Sequence, residues 1–355
     1  MIAEPIRISI SKTEHSRISV VDFNDLKFGR VFSDHMLVMD YSDGEWKTPQ
    51  IMPFGNLQLH PAISALHYGQ SIFEGLKAYR SDENDILIFR AYDNARRMQR
   101  SAERMCMPII PEDLFVQTLT ELVKVDSQWV PSTPEGSLYI RPFMFATDEY
   151  VGIRPSESYK FIIFCCPVGA YYSEPLKVRV ETQFTRAVEG GTGQAKTAGN
   201  YAASLYPARM AQQQGYHQLV WTDGKEHKYI EESGTMNIIF HIGNKLITPS
   251  LSGTILPGIT RDSVLAVARE WGYEVEERRV SVEEIVNALE EGTLKDAFGA
   301  GTAATIAQIF LIGINGKDYE LPARENREFS SRVFSYLNDL KRGKIKDTHN
   351  WMIKV

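Results

Sequence analysis

The chain has 355 residues, a formal net charge of −6, 43% hydrophobic and 24% charged residues. This is ordinary globular composition at a length for about two domains, and it excludes wholesale disorder, collagen-like repeats and a disulfide scaffold. The mild acidity, with no dense Lys/Arg run, argues against nucleic acid as a partner.

Met1 to Pro5 lack the basic and apolar stretches of a secretory signal, so the expected location is the cytoplasm. Val31 to Met39 and Ile86 to Arg90 read as strands. Ala91 to Met105 reads as a helix with Asp93 and Asn94 near its start, and Pro111-Glu112-Asp113 opens another that runs to about Val125. Leu138 to Thr147 and Tyr159 to Pro167 are β-rich runs around a polar loop, Asp148 to Glu157. The apolar run Phe161 to Pro167 is too short to span a bilayer, and no membrane partner is expected. It carries two of the three cysteines, Cys165 and Cys166. With Cys106 these make an odd number without zinc-site spacing, which reads as buried thiols.

A boundary is expected near residues 170–178, giving a small α+β domain over 1–170, a linker over 171–178 and a large domain over 179–355. Lys177 to Phe184 alternates as a half-buried strand does. The glycine-rich loop Glu189 to Lys196 follows, and then a helix to Gln214. The loop is not a P-loop, because Ala195 precedes Lys196 and the second Gly falls two residues early. Asp223-Gly224 and Gly243-Asn244 signal hairpins. Leu256-Pro257-Gly258 leads into a helix that Gly272 ends. Ser281-Val282-Glu283-Glu284 is a capping box. A strand near Asp296 to Phe298 meets the turn Gly299 to Thr302, and the last helix runs from about Asn326 to Leu340.

Four features have chemistry. Lys196 sits at a loop–helix junction among small residues, where a desolvated amine forms Schiff bases, and Tyr201 presents a phenol nearby. Glu231 and Glu232 lie in a β-hairpin context, and pyridoxal 5′-phosphate (PLP) requires a carboxylate opposite its pyridine nitrogen. The helix start after Gly258 suits a phosphate. Arg90 offers a guanidinium for bidentate phosphate contact.

Apart from Arg90 and Glu231, these residues lie in segments through which the chain resembles the branched-chain amino-acid aminotransferases, within the class IV (fold type IV) PLP enzymes. The segments are Phe28 to Met36, Leu66 to Ala78, Leu138 to Pro142, Cys166 to Tyr171, Lys196 to Tyr201, Glu232 to Asn237 and Leu256 to Arg261. The resemblance implies a two-domain α+β fold and a reaction that moves the amino group of leucine, isoleucine or valine to 2-oxoglutarate. It implies that Lys196 bonds PLP and shuttles the α-proton, that Glu232 pairs with the pyridinium nitrogen, and that Tyr201 holds the ring's phenolic oxygen. Arg90, the backbone of Ile259 and Thr260, and Thr302 would bind the phosphate. Glu231 would point to the opposite face of the strand. Phe28, Phe73, Tyr139, Ile153 and Tyr171 match an apolar substrate wall. Tyr139 and Arg141 match the residues that receive the glutamate side-chain carboxylate. Thr235, Thr302 and Ala303 match the turns that hold the α-carboxylate. The resemblance also implies a homodimer, with Tyr68 and Ile153 reaching the partner's site.

A D-amino-acid aminotransferase or an aminodeoxychorismate lyase would share Lys196, Glu232 and Arg90. The matches at His67-Tyr68 and Tyr139-Ile140-Arg141 favour the branched-chain reading. The mammalian subgroup has a redox-active Cys-x-x-Cys where this chain has Ala304 and Ala307, so no thiol switch is expected there. Arg186 is a further basic group to which the sequence attaches no role.

Overall fold

A computed structural model describes residues 6–169 and 174–355. The chain forms two compact units. One comprises Met1–Tyr171, Ala195–Gly199 and Asp339–Val355, and the other Tyr172–Gln194 and Asn200–Asn338. A single cut after the linker would assign everything from residue 179 to the second unit. The backbone pairing explains the difference. Thr197 bridges Ile72, and the Phe73 N–H donates to the Lys196 carbonyl at 3.0 Å. The C-terminal strand Met352–Lys354 pairs antiparallel with Ile86–Phe89.

The first unit is built on a ten-stranded sheet. Its longest pairing joins Ser137–Ala146 to Tyr159–Val168, in register from Ser137↔Val168 to Ala146↔Tyr159. Pro142 lies inside this ladder without an N–H to donate. The neighbouring strand is interrupted there, at Glu74 and Gly75, and the Glu74 N–H donates to the Pro142 carbonyl at 2.7 Å. The helices Ala91–Arg104 and Glu112–Val125 place Ala95, Met98 and Ala102, and Phe115, Leu119 and Leu122, at helical spacing in the core. They share it with Leu138, Ile140, Phe161 and Ile163 of the sheet.

In the second unit six strands close on themselves. In order they are Ile230–Ser233, Gln218–Thr222, Leu176–Val180, Thr305–Ile314, Leu294–Gly301 and Met236–Ile242, the last pairing back to the first. Leu176–Val180 runs parallel to both of its neighbours. Val178 and Val180, and Ile238 and Phe240, lie two apart and fill one apolar core, as the pleat requires. The capping box forms as its sequence predicts, with Ser281 Oγ accepting the Glu284 N–H at 3.0 Å.

Candidate active site

In the first unit, Lys196 is tied down by its backbone. Its N–H donates to Ser101 Oγ at 3.0 Å, and the Thr197 hydroxyl donates to the Ser71 carbonyl at 2.8 Å. Lys196 Nζ lies 4.8 Å from the centroid of the Phe73 ring, and the Arg141 guanidinium lies 4.7 Å from the same centroid. Arg141 Nη2 donates to the Tyr139 phenol at 2.8 Å. Arg141 Nε is buried with no hydrogen-bond partner among the described residues. Phe28 meets Tyr139 edge-on, with ring centroids 5.0 Å apart. Gly75 lets the phenol approach, since a Cβ there would lie 2.1 Å from Tyr139 Oη. Five of the expected residues, Lys196, Phe73, Arg141, Tyr139 and Phe28, are thus brought together.

The Phe73-Glu74-Gly75 segment is anchored from below. Arg97 makes a buried fork–fork pair with Glu74, at 2.8 Å from Nε and 2.7 Å from Nη2. Arg90 has φ +53°, uncommon for a residue with a side chain, and stands just before the helix Ala91–Arg104. One long-range and one local bond hold it: its N–H donates to the Trp351 carbonyl at 2.6 Å, and its Nε donates to Asp93 at 2.7 Å. The guanidinium stacks 5.0 Å from the Trp351 ring.

Tyr68 and Ile153 are not in the Lys196 cluster. They lie on the surface, 42% and 92% exposed, near the bridge from Ile63 to Glu149. Tyr171 lies outside the described residues.

In the second unit, Glu232 is buried among donors. Arg186 Nε lies 2.6 Å from its Oε2, while Asn237 Nδ2 and the Leu256 N–H donate to Oε1 at 3.1 and 2.9 Å. Arg186 is clamped in turn by the carbonyls of Thr254 and Gly193, at 2.6 and 3.2 Å. The loop around Gly193 is tied by Thr192 to Asn200, hydroxyl to amide oxygen at 2.7 Å. The helix Ile259–Glu270 follows Gly258 with no side chain capping its start, and Ile259 and Thr260 are buried there. Such an end favours an anion. A Cβ on Gly258 would lie 1.8 Å from Asn237 Oδ1.

Asn237 pairs with Glu232 on one side and Ala300 on the other. The hairpin turn with Thr235 and the turn with Thr302 and Ala303 therefore share one end of the ring. Tyr201 is half-buried in the first turns of the helix Ala198–Gln213.

Sequence reasoning missed the roles of Arg186 and Asn237, and it missed the Arg97–Glu74 pair. Asn237 stood in a quoted segment, but its partners Glu232 and Leu256 become visible only once the strands pair. Among the described residues no three His, Cys, Asp or Glu are grouped to hold a metal, and no helix is long and apolar enough to cross a membrane. In the first unit an amine suits the carbonyl of PLP; in the second, a buried, cation-paired carboxylate and an uncapped helix start suit a ring nitrogen and a phosphate.

A mostly antiparallel sheet carrying two helices, followed along the chain by a closed six-strand ring, is the architecture of the fold type IV enzymes. The chain belongs to the class IV aminotransferase family, whose description, amino-transferase class IV, matches residues 71–310. It is 42% identical to branched-chain-amino-acid aminotransferase 2 of Bacillus subtilis, over 100% of this chain and 98% of that protein. It is 44% identical to branched-chain-amino-acid transaminase 1 of the same organism, over 94% of this chain and 95% of the relative. Among solved structures it is similar to the branched-chain aminotransferase of Thermoproteus uzoniensis with norvaline, with TM-score 0.74 and 23% identity over 90% of this chain and 99% of that one. The Escherichia coli branched-chain amino acid aminotransferase gives TM-score 0.72 and 26% identity, over 90% and 98%.

Proposed function

We propose that the protein is a PLP-dependent branched-chain-amino-acid transaminase, taking the amino group of L-leucine, L-isoleucine or L-valine and giving it to 2-oxoglutarate. One observation carries the reading: the Lys196 amine and the Arg141 guanidinium lie against the same Phe73 ring, and Arg141 keeps a buried Nε without an acceptor. An amine that moves a proton then stands beside a group suited to a carboxylate and a wall suited to an aliphatic chain. That is what a site serving both leucine and glutamate requires.

When bound, PLP supplies an electron sink for the charge left at the substrate α-carbon. Lys196 removes and returns the α-proton as a general base and acid. Glu232 holds the proton of the ring nitrogen, and Arg186 and Asn237 orient Glu232. Arg90, the Ile259–Thr260 backbone and Thr302 bind the phosphate, and Tyr201 holds the phenolic oxygen. Tyr139 and Arg141 receive the glutamate side-chain carboxylate, against Phe28 and Phe73. Thr235, Thr302 and Ala303 hold the α-carboxylate.

The protein acts as a homodimer in which Tyr68 and Ile153 complete the partner's site. The proposed location is the cytoplasm.

The test is the visible absorption of the purified protein titrated with L-leucine in the absence of an oxo acid. The cofactor band should convert, and 2-oxoglutarate should restore it. Lys196→Ala should abolish turnover. A cofactor band indifferent to leucine, or a Lys196→Ala enzyme of near-normal rate, overturns the assignment.

A further inference from the structure

The second unit contains a cavity of about 370 Å³ that transamination leaves without a role. Glu231 lines it. This residue follows Ile230 and precedes Glu232 on one strand, so its side chain takes the face opposite that of Glu232. It is only 7% exposed. Its Oε1 accepts the Thr254 hydroxyl at 2.5 Å, whereas Oε2 is buried with no hydrogen-bond partner among the described residues. Such an atom is costly unless a donor reaches it. Burial pushes the carboxyl above its ordinary range, and a cationic donor would draw it back.

The other inner carboxylate of the cavity, Asp223, is already engaged. Its oxygens accept the backbone N–H groups of Lys225, Glu226, Lys228 and Tyr229. Glu231 therefore has acceptor capacity to spare and Asp223 does not. Ile255 supplies apolar wall. Arg279 also lines the cavity, its guanidinium 4.9 Å from the Tyr229 ring centroid and its side chain 69% exposed.

We propose that this cavity binds a small molecule bearing a primary ammonium group on a short apolar body, with the ammonium on Glu231 Oε2 and the body against Ile255. Two sources share that chemistry. An alkylamine offers the ammonium alone, whereas an α-amino acid adds a carboxylate that the exposed Arg279 side chain can meet.

Calorimetric titration of the purified protein with its cofactor, using isoamylamine and 2-aminoisobutyrate as probes, tests the site. No turnover is needed, so the result stands whether or not leucine is transaminated. One equivalent per chain should bind without changing the visible cofactor spectrum. Glu231→Gln, which keeps the shape of the side chain, should weaken that equivalent about tenfold or more. Ser250→Trp at the cavity lining should block it by bulk. If isoamylamine binds alone, the ligand is an amine. If 2-aminoisobutyrate binds and Arg279→Ala weakens it, the ligand is an amino acid. Absence of a spectrally silent equivalent in the natural protein overturns the proposal, as does an equivalent untouched by both Glu231→Gln and Ser250→Trp.

Discussion

A carboxylate as deeply buried as Glu232 keeps its charge only with a cation and donors around it. Arg186 is that cation, and its other two nitrogens are fixed by the Thr254 and Gly193 carbonyls, so the pair is rigid. Arg186→Leu should leave Glu232 without its cation, costing about 3–5 kcal/mol if the charge stays. The expected result is a protein that loses PLP on gel filtration and melts at lower temperature, with Arg186→Lys recovering part of both. Cofactor retention equal to that of the natural protein would remove Arg186 from the site. Lys196, Glu232 and Arg90 were legible in the sequence because each sits in a short run with its own chemistry. Arg186 was not, because nothing near it in the chain states its partner. The bent backbone at Arg90 was equally hidden, since its cause is the carbonyl of Trp351, far along the sequence.

At the scale of elements, the helix start at Gly258 ties two functions together. Asn237 fills the space that a Cβ would need, and the same Asn237 holds Glu232 and the Leu256 carbonyl. Gly258→Ala should therefore displace Asn237 and disturb both the proposed phosphate site and Glu232. Loss of one hydrogen bond to a charged group is worth about 1.5–3 kcal/mol, or roughly tenfold to a hundredfold in PLP affinity. Fluorescence titration of the apoprotein with PLP measures it, and unchanged affinity would show that Asn237 can move without cost.

Elements with local punctuation were readable from sequence. The two long helices of the first unit follow Arg90 and Pro111, and the Ser281 cap and the turn at Gly243-Asn244 lie where expected. The strand Met352–Lys354 has three residues and no periodicity to read, and it exists because Ile86–Phe89 offers an edge. The strand expected at Val31 to Met39 begins at His35 instead. There the backbone finds partners in both Gln50–Pro53 and Tyr159–Val168.

For the whole molecule, assembly and pH response follow from surface and burial. Ile153 is 92% exposed, Val151 66% and Leu66 66%, all near the Ile63–Glu149 bridge. In the proposed homodimer these apolar side chains would lie at the interface. Light scattering should give twice the chain mass, and Ile153→Asp should shift it toward one. The pH response has its origin inside the first unit. Lys77 is buried, and desolvation, with Arg342 nearby, lowers its amine from the ordinary 10.5 to about 8. Lys341, buried beside it, is lowered further. Between about 8 and 10.5 the folded chain has released the Lys77 proton while the unfolded chain keeps it, so the unfolded state binds more protons and stability rises with pH. The full gain for Lys77 is roughly 3 kcal/mol. Buried Cys166 acts in the opposite sense, because burial raises its thiol from 9.0 to about 11. Above pH 9 the unfolded thiol ionises first and stability falls. From these two groups the unfolding midpoint should therefore climb between about pH 8 and 9, level off where the opposing slopes cancel, and decline only above about 10.5. In Lys77→Met the climb should flatten while the decline remains. An identical climb in that variant would mean that the amine is solvated in the folded chain and that the rise originates elsewhere.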